Sequence, residues 1–206
     1  MKFKTHLLAC FSLMLLTAFY ACSENDDPDK YLGTALDPKA KGAQIDTTKF
    51  NSEYIGYRTV MINGKLPLNS RYAEFLKVVG KPDSLVDSHP EMDCPFFEEN
   101  HYQYVHFQGN LFYLVNDTAV FREVDFRRRP DLALKTPAIT LNNNTTLEEV
   151  QKLYPKSVSK IRTIESSAYL DLQLVDIGAS KAYEDAWWIL FFRDKKLVMV
   201  EMYMPC

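Results

Sequence analysis

Two stretches of the chain, "SRYAEFLKVVGKP" from Ser70 and "TTLEEVQKLYPKS" from Thr145, place apolar residues three and four positions apart, the spacing of a helix with one buried face. They align at an offset of 75, with Tyr72 over Leu147, Phe75 over Val150, and Val78-Val79 over Leu153-Tyr154. Each predicts a short helix, ended by Gly80 in the first and by Pro155 in the second. Thr145 and Glu148 have the spacing of a capping box at the start of the second helix. Helices this short are marginal alone, so each has to lie on an apolar surface.

Period-two patterns supply that surface after each helix. Residues 101 to 126, "HYQYVHFQGNLFYLVNDTAVFREVDF", read as three strands broken at Gln108-Gly109-Asn110 and Asn116-Asp117-Thr118, both of turn composition. Residues 186 to 204, "AWWILFFRDKKLVMVEMYM", read as two strands around Arg193 to Lys196, preceded by a strand in "SAYLDLQLVDIG" from Ser167. The turns at Asp117 and Asp194 lie 77 residues apart, close to the helix offset. With "YRTVMING" (57 to 64) and "ALKTPAITL" (133 to 141) as leading strands, the expected fold is α+β. It consists of two helix-plus-antiparallel-meander repeats packed side by side, at 45 to 134 and 135 to 206.

Strict alternation then sorts the strand side chains into two faces. Val105, Phe107, Val120, Val124, Phe126, Val198, Val200, Met202 and Met204 are expected to meet the helices. Tyr102, Tyr104, His106, Ala119, Phe121, Glu123, Asp125, Leu197, Met199, Glu201 and Tyr203 are expected on the opposite face. "WWILFF" (187 to 192) has no polar side, so one of Trp187 and Trp188 has to face outward. The candidate binding face is therefore Tyr102, Tyr104, His106, Phe121, Trp187, Trp188, Met199 and Tyr203. Aromatic patches of this kind are interaction surfaces for a protein or a glycan, unless the two half-sheets or a loop cover them.

The N-terminus changes where such a surface would work. Lys2 and Lys4 precede an apolar run of 13 residues, Leu7 to Phe19, and the small residue Ala21 stands before Cys22. That order is a secretory signal peptide over 1 to 21, too short for the roughly 20 residues of a membrane-spanning helix. Its removal takes the formal charge from −3 to −5, since two lysines and no acidic residue go with it. An acidic chain of this kind excludes nucleic acid as the main partner. Residues 22 to 44 are rich in Asp, Pro, Lys and Gly and read as a flexible linker.

A cysteine at the first mature position resembles a bacterial lipoprotein, and the resemblance implies a thioether from Cys22 to diacylglycerol with an acylated amino group. "CSENDDPD" resembles the acidic export tag of Bacteroidetes lipoproteins, which implies an outer-membrane anchor facing the exterior; the periplasmic face is the alternative. Asp46-Thr47-Thr48, Asp83-Ser84-Leu85 and Asp117-Thr118-Ala119 resemble the pattern that this phylum O-glycosylates, on Thr47, Ser84 and Thr118, and they are equally turn sequences. From about residue 70 onward, a helix followed by a meander, with "VVGKPDS" closing the first helix, resembles the SmpA/OmlA and β-lactamase-inhibitor-protein fold group, here in tandem. That resemblance implies an inhibitor or immunity role as an alternative to a general binding module.

Cys94 and Cys206 remain once Cys22 is set aside, and in an exported protein two thiols are expected to pair. Two free thiols, or a reactive Cys94 beside His89, His101 or His106, are the alternatives. His89, Asp93, Glu98 and His101 include metal-ligand types without a metal-site spacing, and a hydrolase acting through the 89 to 106 loop is the enzymatic alternative. No nucleophile elbow or phosphate-binding glycine loop occurs. The expectation is a chain with no catalytic residues, no metal and no cofactor, whose partners are a membrane through its lipid and an unidentified protein or glycan.

Overall fold

The computed structural model describes residues 52–89, 101–164, 171–182 and 186–204. The chain is α+β, mostly antiparallel sheet with a few short helices. After a single 3-10 turn at Tyr57–Thr59 come β1 (Met61–Ile62), β2 (Leu66–Pro67) and β3 (Asn69–Arg71), then α1 (Tyr72–Val78). A meander follows: β4 (Ser84–Asp87), β5 (Gln103–Phe107), β6 (Asn110–Val115) and β7 (Thr118–Asp125). The second part runs β8 (Leu134–Lys135), β9 (Thr140–Leu141), α2 (Leu147–Leu153), α3 (Pro155–Val158), β10 (Arg162–Ile164), β11 (Leu172–Gly178), β12 (Trp187–Arg193) and β13 (Lys196–Tyr203).

The large sheet has the order β10-β11-β12-β13-β7-β6-β5-β4, with β3 also paired to β7. Its two meanders thus meet through their last strands. β7 and β13 run antiparallel with Val124 opposite Val200, flanked by Glu123 opposite Glu201 and Asp125 opposite Met199. A small sheet of order β2-β1-β8-β9 joins the leading strands in the same way, Met61 opposite Lys135. The expected boundary between residues 134 and 135 therefore falls inside β8. α1 and α2 each start on the turn of their own meander: the Tyr72 amide donates to the Asp117 carbonyl (2.8 Å), and the Leu147 amide to that of Lys195 (2.9 Å).

Two β-bulges set which side chains are interior. Opposite β6, Leu111 faces Glu123 and Phe112 faces Phe121, so Arg122 is the extra residue; opposite β12, Phe191 faces Met199 and Phe192 faces Leu197, so Val198 is. A bulge puts two neighbouring residues against one and shifts the alternation by one place. Ala119 and Phe121 on one side of Arg122, and Val124 and Phe126 on the other, all enter the same core. Leu197, Val200 and Met202 do likewise around Val198. This corrects the strict alternation: Phe121, Ala119 and Leu197 are interior, while Val120 and Val198 lie with the clusters of the other face.

The main core continues through Phe75 and Val150, the buried residues of α1 and α2, and through Ile62, Leu66, Leu134 and Leu141 of the small sheet. Phe75 meets Phe112 edge to face at 4.6 Å. Gly80 closes α1 with a φ of +106°, a left-handed backbone that favours glycine. The capping box lies one residue later than expected, between Thr146 and Glu149, because Thr145 is buried and its hydroxyl bonds the Thr140 carbonyl at 3.1 Å. α2 ends at Leu153, before Pro155 as expected, and Pro155 then opens the short α3, as its missing amide allows at a first helical position.

The start of the described chain is tied to the second meander. The Ile55 amide bonds the Gly178 carbonyl, and the Glu53 carboxylate accepts the Lys156 and Ser157 amides at 2.9 and 2.8 Å. Burial works against the charged Glu53, but those amide bonds outweigh it and hold the carboxyl below its ordinary pKa. Trp188 is fully buried, stacks on Tyr57 at 6.0 Å, and donates its indole N–H to the Ile55 carbonyl at 2.7 Å. Trp188→Ala is expected to cost about 3–5 kcal/mol in urea denaturation, and Trp187→Ala under about 1 kcal/mol. Equal losses would contradict this assignment of inner and outer tryptophan.

Candidate functional site

The face of the large sheet opposite the helices carries three chemically distinct zones. At the β4–β6 end Tyr102, Tyr104 and Tyr113 contact one another edge to face at 5.3–5.6 Å, with the Tyr102 and Tyr104 hydroxyls 3.3 Å apart. His106 lies beside Tyr104 at 6.4 Å and is exposed. Tyr102 and Tyr113 are buried and Tyr104 is half-buried, so only the rim of this cluster is open.

The centre of the face is charged because the first bulge turns Arg122 and Glu123 to the same side. Arg122 pairs with Glu201 at 2.7 Å and also donates to the Met202 carbonyl. Burial first, and then the facing Glu201, push the Glu123 carboxyl up to about 7, against the pull of Arg122. Asp125 is also buried, yet its pKa is lowered, since Arg127 donates to it from side chain and backbone. The arginine run is therefore occupied internally: Arg127 holds Asp125, while Arg129 holds Asp131 and lies 4.3 Å above the Phe107 ring.

The third zone, at the β10–β13 end, combines open aromatic rings with a fixed ion pair. Trp187 and Tyr203 are cross-strand partners with ring centroids 5.8 Å apart and planes inclined at 29°. Tyr203 is 38% exposed and Trp187 half-buried. Next to them Arg162 donates to both oxygens of Asp176, Nε to Oδ2 at 3.0 Å and a terminal nitrogen to Oδ1 at 2.7 Å. The hydrogen bond to Asp176 raises the Arg162 pKa further. Together with Ile189 these four residues line a shallow depression of about 430 Å³.

Of the residues expected on the binding face, Tyr104, His106, Trp187 and Tyr203 keep accessible surface. Phe121 and Trp188 are fully buried in the main core, Phe121 because of the bulge and Trp188 because it is the inward member of the pair. Tyr102 and Met199 point to the outer side but are buried in its clusters. Arg162, Asp176 and Ile189 were absent from the expected set, although Asp176 interrupting an apolar alternation from Leu172 is a usable sign of an outward polar position. Ser84 is exposed at the start of β4, and Thr118 is half-buried at the start of β7. Cys22, Thr47, Asp93, Cys94, Glu98 and Cys206 lie outside the described residues.

Among the described residues no three His, Cys, Asp or Glu side chains are grouped so as to hold a metal ion, and no helix is long and apolar enough to cross a membrane. His89 and His101, the two described members of the loop set, are exposed at the ends of the β4–β5 hairpin. Comparison with protein-family models, with curated proteins and with solved structures finds no match to this chain.

The raised Glu123 gives the central zone a measurable signature. A folded-state pKa above the ordinary 4.5 means that the native protein holds a proton the unfolded chain has released, so stability falls as pH rises from about 4.5 to about 7. Glu123→Gln should therefore raise the urea midpoint relative to wild type more at pH 8 than at pH 5. An equal shift at both pH values would show that Glu123 does not titrate late.

Proposed function

We propose that the chain is an outer-membrane lipoprotein, anchored through Cys22 and facing the exterior, that acts as a binding module and not as an enzyme. The observation that carries this reading is the Trp187–Tyr203 pair: two large aromatic rings left open on a sheet face, next to a polar pair already fixed in geometry. Tyr and Trp contribute large contact area at low conformational cost, which favours them where a rigid surface has to engage a partner. The secretory pattern ending at Cys22, and the linker to residue 44, would present that surface away from the lipid.

The finer architecture belongs to the same proposal. We read the chain as two copies of one helix-plus-meander unit, in the manner of the β-lactamase-inhibitor-protein fold group. Supporting this are the equivalent positions of Phe75 and Val150, of the extra residues Arg122 and Val198, and of the seam residues Val124 and Val200. Joining two half-sheets edge to edge makes one wide face, the kind of surface an inhibitor lays on its target. An inhibitor or immunity role is the second reading on that ground.

A photoreactive amino acid placed at Tyr203 in living cells tests the binding reading, with exposed Leu153 on α2 as the control position. Adducts are expected from position 203 and not from 153. Equal yields at the two positions, or none at 203, would overturn it.

A further inference from the structure

We infer that the depression formed by Trp187, Tyr203, Ile189, Arg162 and Asp176 binds a neutral glycan, with a sugar ring against the aromatic pair and adjacent hydroxyls on the Arg162–Asp176 pair. This rests on the binding reading above and names the ligand class of that same site. The choice follows from what the lining offers and what it lacks.

A pyranose presents an apolar face of C–H groups and a rim of hydroxyls that both donate and accept. The first suits Trp187 and Tyr203, whose open rings provide rigid apolar area. The second suits an arginine and an aspartate locked side by side. Arg162 commits two N–H groups to Asp176 and keeps the rest of its five donors, while each Asp176 oxygen keeps further acceptor capacity. Donors and acceptors are thus held side by side before the ligand arrives, which lowers the cost of ordering them on binding. Both residues are more than a third exposed, so their remaining capacity is open to a ligand. Among the described residues neither the Trp187 indole N–H nor the Tyr203 hydroxyl takes part in a hydrogen bond, which leaves two more polar groups at the rim.

Charge selects against the alternatives. Asp176 neutralises Arg162, the one cation among the described residues of the lining, so these residues offer no net positive charge to draw a phosphate or a sugar acid. A peptide anchor would want a deep apolar socket, whereas Ile189 is the one aliphatic side chain here and the depression is shallow. Its volume of about 430 Å³ lies toward the lower end of the roughly 300–1,000 Å³ of small-ligand sites.

The chain has only two tryptophans and Trp188 is fully buried, so a ligand-induced change in indole fluorescence reports on Trp187. Full-length protein in a non-sugar detergent would be titrated with neutral hexaoses of glucose (α- and β-linked), mannose, galactose and xylose, and with oligogalacturonate and inorganic phosphate. Saturable binding of at least one neutral oligosaccharide is expected, stronger than that of either anion. Read by calorimetry, because the first variant removes the fluorescent reporter, Trp187→Phe should weaken it several-fold and Asp176→Asn roughly tenfold, with unchanged circular dichroism. Tyr203→Ala, read by calorimetry, gives an independent check should either of those variants unfold. No saturation by any neutral oligosaccharide up to about 10 mM, tighter binding of an anion, or Asp176→Asn without effect would overturn the inference. So would a peptide adduct at photoreactive position 203, a result that overturns the glycan assignment while leaving the binding face intact.

Discussion

β7 and β13 each belong to a different meander, and their antiparallel pairing around Val124 and Val200 gives both of them a neighbour where an open edge would stand. Hydrogen bonds at that seam join the two four-stranded meanders, with β3 as a ninth strand on β7, into one sheet, and the core beneath becomes continuous from Val105 and Phe112 through Val124 and Val200 to Leu190 and Val175. The small sheet repeats the arrangement through β1 and β8. Neither meander has a separate interior: Ile55 and Glu53, which precede the first helix, make their bonds on β11, α3 and Trp188 of the second part. The apolar face of each short helix is useful only because this shared sheet lies under it.

The bulges give the seam its chemistry. By turning Arg122 with Glu123, and Val198 with Met199, to the side away from the helices, they bring charge to the middle of one face and apolar bulk to its flank. The facing pair Glu123 and Glu201 is costly where water is partly excluded, and protonation near neutral pH is how Glu123 relieves that cost. Farther along, where β12 begins and β13 ends, Trp187 and Tyr203 stay open. The outer face is therefore graded along its length from tyrosines through charge to an aromatic pair beside an ion pair, and only its last part combines accessibility with fixed polar geometry.

The helices, the hairpin turns and the six long strands β5, β6, β7, β11, β12 and β13 were legible in the residue pattern, because Phe75 and Val150 mark the buried helical faces and Gln108-Gly109, Asn116-Asp117 and Asp194-Lys195 are turn dipeptides. The strands β4 and β10 were not. Both lie at edges of the sheet, and in β4 Leu85 and Val86 point to opposite faces yet are each 44% exposed, so no alternation marks it. The inward or outward placement of Phe121, Val120, Leu197 and Val198 failed for a different reason. A bulge is one unpaired residue set by the partner strand, and neither Arg122 nor Val198 announces it locally. Trp187 and Tyr203 were found by composition, whereas Arg162 was missed because it belongs to an unrecognised strand.

The seam between β7 and β13 makes both meanders one cooperative unit. Native-state hydrogen exchange of β5 and β11, which lie in different meanders far from the seam, measures this most directly. Slowly exchanging amides of both strands are predicted to open at the same free energy, within about 1 kcal/mol, and to coincide with those of β7 and β13. Exchange of β5 at a clearly lower free energy than β11, with the two reaching separate plateaus as denaturant rises, would contradict it.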